Sequence, residues 1–415
     1  MAHNYKKVSW VAMETLRQLK HKSEVFAAMR HDHDAEFKKE FAVGDTIEVK
    51  MPFRAAIREG IAYAPQNVDR ITTTITADTV IGSDIEFGTI EKLLDMERGK
   101  ERVKREYIDK MSAKMAAHID LRAARFAYKH TGNITGVLGT NPTTFDATSA
   151  AVRQRFMELD TWDSERFLFI PPAVSRAIKG GSDGNLSRFG PVEEIKRLYK
   201  QGILGMADGF EFYESNSLAD HTAGNWAGSV SLASAVANGA SELSLTCTTG
   251  DTFKEGDAIG LASVYRTNPL NDEVTSRAKT MTVTVAQDVT GAASAATVPI
   301  KEKLYFSGPN KNIDSQPAGS ATCTLFPDTA SPSQKQGKQG LAFTKDAFAA
   351  ISLPLPMPKN EEEGYQITDP DTGITISLIT SFDFEARKWK TRLDCLIGFG
   401  PLHCLNGASM RILCA

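Results

Sequence analysis

The feature that most constrains the fold is a change of pattern midway along the chain. Residues 224–340, about 117 in all, are rich in Ala, Ser, Thr and Gly and carry one short β pattern after another. Leu243, Leu245 and Cys247 alternate with Ser244 and Thr246; Met281, Val283 and Val285 alternate with Thr282 and Thr284; Cys323 and Leu325 alternate with Thr322 and Thr324. A period of two places alternate side chains on one face. Further runs centre on residues 259–264 and 298–305, and Gly256-Asp257, Gly308-Pro309 and Pro327-Asp328 mark turns. Several short strands so spaced predict a small all-β sandwich or barrel, with Leu243, Leu245, Val283, Val285 and Leu325 in its core. Its length suits a domain of ~100–150 residues that folds as a unit. Residues 331–338, Ser-Pro-Ser-Gln-Lys-Gln-Gly-Lys, read as a linker or exposed loop. A mixed α/β style precedes and follows the segment. The β module is therefore expected to be an insertion into a host fold that resumes after it.

The host begins with a charged arm. Val11, Met13, Leu16, Leu19, Val25, Phe26 and Met29 recur at roughly helical spacing over residues 1–40. One helical stripe cannot be buried alone, so it must lie on the rest of the chain or on another subunit. Gly44-Asp45 turns the chain into Thr46-Ile47-Glu48-Val49-Lys50, a half-buried strand, and a second extended run follows at residues 71–76. The stretch between them is polar and holds Pro65, which predicts a projecting hairpin with little core of its own. Residues 1–40 and 45–80 are expected to make most of their contacts with other subunits. A helical region covers about 89–129, with Tyr107, Ile108, Met111, Met115, Ile119 and Phe126 on one face and a break near Gly99. Residues 97–129 hold ten Lys/Arg against five Asp/Glu, a net +5. That is a solvated face with paired charges, or a face that meets an acidic neighbour. Residues 131–222 alternate: a helix over 152–159, a buried strand over 166–170 stopped by Pro171-Pro172, a short helix over 173–179, and a helix over 192–200 behind Pro191. After residue 341, Pro354, Pro356 and Pro358 enforce an extended path. Two strands flank Pro370-Asp371-Thr372-Gly373, a hairpin turn, and a strand-like tail covers 382–412.

Several function classes are excluded. The 415 residues are enough for about two to four domains. The 48 Lys/Arg and 51 Asp/Glu leave a net −3, unlike a protein that coats nucleic acid through a broad basic face. The N-terminus MAHNYKKVSW lacks a secretory pattern, and no stretch nears ~18 uninterrupted apolar residues, so a cytosol-like compartment is expected. Cys247, Cys323, Cys395, Cys404 and Cys414 form no CxxC pair and are expected to stay reduced and separate. Gly180-Gly181-Ser182-Asp183-Gly184 matches the G-x-S-x-G nucleophile pattern in letters only, since a helix-like stretch precedes Ser182 where a strand is needed. His31-Asp32-His33-Asp34 sets four potential ligands in a row, but without distant ligands it reads as a polar helix end. Asp369 and Asp371 open like a calcium loop, yet Ile374 stands where glycine is required and Thr380 where a closing acid is required. Glu361-Glu362-Glu363 reads as a solvated loop. No phosphate-binding glycine loop occurs. No catalytic, cofactor-binding or metal site is expected, and the weight shifts to a structural or binding role.

The order of parts resembles the major coat protein of short-tailed bacteriophages, in the scaffold-dependent branch with an inserted β domain. The resemblance rests on the charged arm, the Gly44-Asp45-Thr46-Ile47 opening of a two-stranded excursion, and residues 80–87 leading into a long helix with Ala116-Ala117-His118-Ile119-Asp120. It rests also on a last hairpin over 387–400 with Arg392-Leu393-Asp394 and Gly398, and on the closing Arg411-Ile412. It implies an α+β tailed-phage capsid fold. The parts would be an N-arm (1–40), an E-loop (41–84), a peripheral domain with its spine helix (85–150), an axial domain (151–223 and 341–394), an inserted barrel-like β domain (224–340) and a C-terminal strand returning to the peripheral domain (395–415). It implies self-assembly into pentamers and hexamers forming an icosahedral virion shell, built in the bacterial host cytoplasm. Its partners would be a scaffolding protein, a portal protein, a decoration protein where one is present, and packaged double-stranded DNA bound without sequence preference. With no extension of the kind some relatives use as a built-in scaffold read ahead of the arm, a separate scaffolding protein is expected. The alternative from another class is a two-domain hydrolase or carbohydrate-active enzyme with a β binding module, which would run as a small species on a sizing column. A surface adhesin is disfavoured by the missing secretion signal.

Overall fold

The computed structural model describes residues 13–17, 23–31, 46–50, 57, 60, 61, 63, 65, 72–88, 109–144, 146–161, 165–179, 205–225, 230–285, 287–288, 295–326, 336–355, 363–368, 373–402 and 407–414. They divide into two units, each assembled from separate stretches of chain.

The first unit takes Met1–Val49, Thr73–Ala123 and Phe348–Gly400. Its sheet runs in the order Thr46–Lys50, Thr72–Gly88, Lys388–Pro401, Thr375–Asp383, Glu363–Thr368, and Phe348–Leu353 also pairs with Lys388–Pro401. The extended run foreseen at 71–76 continues to Gly88, because Lys388–Pro401 pairs with it from Thr76↔Phe399 to Gly88↔Lys388. Ile75, Ala77 and Ile81 supply its buried side, and Leu393, Cys395 and Ile397 that of its partner. Glu363–Thr368 and Thr375–Asp383 pair antiparallel as far as Thr368↔Thr375, the hairpin expected around Pro370-Asp371-Thr372-Gly373. The helix Asp109–Lys129 buries Met115, Ala116, Ile119 and Ala123, a three-to-four spacing.

The arm departs from expectation. Residues 23–30 pack within their own chain, with Val25, Phe26 and Met29 fully buried. The short helix Glu24–Ala27 receives no cap from its own Ser23. Asp120 caps it from a distance: Glu24 N–H donates to Asp120 Oδ2 at 2.9 Å and Phe26 N–H to Oδ1 at 3.1 Å. Phe26 meets Phe399 edge-on at 6.1 Å. Arg30 bridges Ala349 in parallel, with Arg30 N–H donating to Phe348 O and Ala350 N–H to Arg30 O. Leu16, Val25, Phe26 and Met29 of the apolar stripe are buried in their own subunit, while Met13 stays 50% exposed. The stretch 45–80 is divided likewise: Ile75 and Ala77 are buried in the subunit, while the described residues between 57 and 65 are exposed.

The second unit takes Lys50–Thr72, Ala124–Ala347 and Pro401–Ala415. Its seven-stranded sheet runs Ile134–Gly136, Ser409–Leu413, Gln336–Thr344, Arg166–Ile170, Phe210–Glu214, Met206–Ala207, with Asp220–Thr222 also on Gln336–Thr344. The expected return of the chain after the insertion is visible here, since Leu341 pairs with Phe169 and Phe343 with Phe167. Residues 336–338 are strand, a correction to the linker reading: Gln336↔Thr222 and Lys338↔Asp220 engage their backbone. Val152, Phe156, Val174 and Ile178, from the helices Ala151–Glu158 and Pro172–Lys179, pack with Leu168, Ile170, Phe210 and Ile412 of the sheet.

The inserted segment forms a six-stranded sheet in the order Val274–Thr282, Ala258–Thr267, Thr322–Phe326, Val230–Leu232, Ala240–Thr246, Ala295–Leu304. Its two ends meet. Val283 bridges Ile300, and Thr284 N–H donates to Pro299 O at 2.9 Å, so the sheet closes on itself like a barrel. Leu243, Leu245, Phe253, Ile259, Leu261, Met281, Val283, Val298 and Leu304 fill it, each fully buried chain contributing roughly 1.5–3 kcal/mol. Val285 is 53% exposed, against expectation, because the strand ends at Thr282 and the chain turns away. Leu325 lies on its strand as expected, but its side chain is outside the described set.

Candidate assembly surfaces and the buried joint

Charged groups tie the barrel to its host inside the second unit. Lys279, fully buried, places Nζ 2.6 Å from Glu302 Oε1, and Arg266 Nη2 is 3.6 Å from the same oxygen. Arg266 Nη1 donates to Asn133 Oδ1 at 2.7 Å, and Asn133 Nδ2 donates to Ser409 O at 3.1 Å. Thr280 Oγ1 donates to Gly132 O, and Thr282 Oγ1 to Thr131 O at 2.9 Å. Arg411 is 2% exposed; its Nε donates to Gln339 Oε1 and its Nη1 to Gly256 O, and its guanidinium lies 5.1 Å from the Tyr128 ring centroid. Burial lowers its pKa to about 10, so it keeps its charge at neutral pH. His221 Nε2 lies 2.8 Å from Asp257 Oδ1, and Asp257 Oδ2 accepts from Gly224 and Lys254 N–H. Burial lowers the His221 pKa against the pull of Asp257. Gly256 closes this corner at φ +92, and a Cβ there would come within 2.8 Å of Tyr128 Cε2.

Such a joint is costly to break. Buried charges are tolerated only while paired, and removing one partner costs about 3–5 kcal/mol. Arg266, Thr280, Thr282 and Arg411 of this joint all direct side-chain hydrogen bonds at other parts of the same chain.

The outward-facing features differ in kind. In the long excursion between Lys50 and Thr72, Ile57 is 89%, Ile61 99% and Tyr63 86% exposed. On the hairpin joining Thr375–Asp383 to Lys388–Pro401, Phe384 is 86% exposed. Exposed large apolar side chains of this kind are candidates for contact with partners.

Of the motifs weighed as chemistry, His31 falls among the described residues. Both ring nitrogens of His31 face backbone carbonyls, Nδ1 3.2 Å from Ala350 O and Nε2 3.0 Å from Phe26 O, so His31 tethers the arm. His33, Asp32, Asp34, Ser182, Asp369, Asp371, Glu361, Glu362, Gly99, Cys404 and the helix foreseen over 192–200 lie outside the described residues, as does the side chain of Glu363. Among the described residues no group of His, Cys, Asp and Glu has metal-binding geometry, and no helix is long and apolar enough to cross a membrane. Cys247, Cys323, Cys395 and Cys414 are free and buried, and burial raises their pKa values to about 11, 12, 11 and 12.

A family model described as P22 coat protein, gene protein 5, matches residues 42–403. The chain belongs to the P22 coat protein family. As a member it is a major capsid protein with the tailed-phage capsid fold, it forms the icosahedral shell of a bacteriophage virion from copies of itself, and its role is structural and not enzymatic. Similar solved structures include that of Mycobacterium phage Che8, at 10% identity over 94% of this chain and 90% of that one, with a TM-score of 0.45. The acid-stable capsid of Helicobacter pylori bacteriophage KHP30 aligns at 12% identity over 89% and 84%, with a TM-score of 0.41. The CUS-3 coat protein I-domain aligns at 20% identity over 25% of this chain and 98% of that one, with a TM-score of 0.19. No curated protein matches.

Two sets of residues in this coat protein escaped the sequence reading. Asp120 acts on the arm across 96 positions, and the Lys279–Glu302 pair is buried in a segment read as simple alternation. The available signal was chemical type: Lys279 interrupts a run of Ala, Thr, Met and Val that is otherwise uncharged from 278 to 286.

Proposed function

We propose that this coat protein assembles as pentamers and hexamers guided by a separate scaffolding protein, in the cytoplasm of a bacterial host. In the same reading a portal protein occupies one vertex, a decoration protein binds outside where one is present, and double-stranded DNA is enclosed without sequence recognition. The division into arm, extended loop, peripheral, axial and inserted domains belongs to this proposal. The observation that carries it is the exposure of the large apolar side chains Ile57, Ile61 and Tyr63, which lie in sequence between the strands Thr46–Lys50 and Thr72–Gly88. Many modest contacts, each repeated around a ring and between rings, give a strong shell. The net charge of −3 suits a wall that encloses DNA without gripping it. The test is electron microscopy of the expressed protein with and without a co-expressed scaffolding protein. Closed shells of uniform size with the partner, and capsomers or irregular shells without it, are expected. A small soluble species under both conditions would overturn the reading.

A further inference from the structure

A groove in the first unit runs between residues 79–83 of the strand Thr72–Gly88 and residues 111–122 of the helix Asp109–Lys129. Its volume is about 570 Å³, within the ~300–1,000 Å³ of small-molecule clefts and so with room for an aromatic side chain and its neighbour. Val80, Met111 and Leu121 give it an apolar lining, and Lys114, His118 and Arg122 line it too. These last three are spaced by four and so share one helix face. Arg122 Nη1 donates to Thr79 Oγ1 at 2.8 Å, which fixes it at the edge. Lys114 and His118 are exposed and make no ion pair among the described residues. The groove is therefore apolar within, basic at the rim and open.

The hairpin Thr375–Asp383 to Lys388–Pro401 has the complementary character at its tip. Phe384 is 86% exposed and is followed by Glu385, which is exposed and makes no ion pair among the described residues. The turn is rigid: Asp383 Oδ1 accepts from Glu385 N–H at 3.0 Å and Ala386 N–H at 3.2 Å, and Asp383 Oδ2 holds Lys390 Nζ at 2.7 Å. A phenylalanine on a preorganised turn loses little freedom when it docks.

The tip cannot fill the groove of its own subunit. Lys388 pairs with Gly88 beside the tip, whereas the groove lies at Ile81, paired with Cys395. Seven residues of strand separate them, about 23 Å. We propose that the Phe384-Glu385 tip of one subunit docks in the groove of a second copy, with Phe384 against Met111 and Leu121 and Glu385 facing Lys114. This rests on the capsid reading and gives that shell one specific contact. Other occupants fit less well. Residues 54–70 carry Arg54, Arg58 and Arg70 against Glu59 and Asp69, a net positive charge that a basic rim repels. Duplex DNA would meet the rim and leave the apolar lining unfilled.

The test uses shells of the full-length protein. With Leu121→Cys and Phe384→Cys in one chain, mild oxidation of assembled shells is expected to give a reductant-sensitive covalent ladder, because a disulfide needs Cα atoms within about 7 Å. Each single variant should stay monomeric. Shells of the double variant that remain monomeric on the gel would overturn the proposal, as would a ladder from Leu121→Cys with Ile61→Cys in its place. Where the cysteine pair does not assemble, charge exchange decides. Lys114→Glu and Glu385→Lys should each lower shell yield several-fold, and the double exchange should restore it. A double variant no better than either single, or a groove variant that changes DNA retention without changing shell yield, would overturn it. Wild-type protein that forms no shells under any condition would instead remove the capsid reading itself.

Discussion

Asp120 reaches across 96 positions to accept the Glu24 N–H of the arm. Burial raises its pKa to about 7, against the lowering pull of backbone N–H groups from Phe26, Glu24 and Val25. A carboxyl whose folded pKa lies above its unfolded value favours the folded state at low pH. Its contribution is complete below about pH 4 and is lost as pH rises through about 7. Burial lowers the pKa values of His130, to about 4, and of His221, which favours the folded state as pH rises and opposes Asp120 in the total profile. The urea midpoint of Asp120→Asn relative to wild type should therefore rise from pH 4 to 8, since the histidines are common to both; a difference independent of pH would refute the assignment. Glu302 gives a second prediction. Glu302→Gln should destabilise the chain by about 3–5 kcal/mol, since Lys279 and Arg266 would lose their shared counter-charge. Replacing the pair together, Lys279→Met with Glu302→Leu, should recover much of the loss in chemical denaturation. The thiols give a third. Cys247, Cys323, Cys395 and Cys414 should resist alkylation in the folded protein and react on unfolding, as read by mass spectrometry, because each is buried with a raised pKa.

Elements divide by whether their apolar face is covered within the subunit. The arm segment Glu24–Ala27 is covered, so Phe26→Ala should cost about 3–5 kcal/mol of subunit stability, seen as a lower denaturation midpoint. The excursion between Lys50 and Thr72 is uncovered at its described residues. Ile61→Asp with Tyr63→Ser should leave the circular dichroism melt of the subunit within the ~0.5 kcal/mol typical of surface changes, while light scattering shows assembly impaired. A fall in subunit stability equal to the loss of assembly would contradict this division. Element type was readable where periodicity was strong: the strands at Thr46–Lys50, Arg166–Ile170 and Ala240–Thr246 and the helices Pro172–Lys179 and Asp109–Lys129 all carry their pattern locally. Element length was less so. Thr72–Gly88 extends beyond its β-branched start because a distant strand pairs with it, and Gln336–Thr344 absorbs residues whose composition reads as linker.

For the whole molecule, the barrel has a core drawn from residues 230–323 alone, yet its outer face is tied to the host through Arg266, Lys279, Thr280 and Thr282. A fragment of residues 224–340 should melt cooperatively, at a lower temperature than the full chain, because it keeps its core and loses Asn133, Gly132 and Thr131 as partners. Collapsed, poorly dispersed amide resonances would contradict this. The α+β class, the β segment within a mixed chain, the resumption of the host pattern after it and a coat-protein resemblance were all legible in the residues alone. Those follow from patterns a few residues long, in which side-chain period and turn chemistry act locally. Long-range contacts alone fold residues 23–30 back on their own subunit, close the sheet ends at Val283 and Ile300, and bring Lys279 to Glu302. The reason is physical. Capping, closure and burial of charge are satisfied by groups as far as 96 positions away for Asp120, and 276 for Asn133 and Ser409. No local pattern states which distant group will be there when water is excluded.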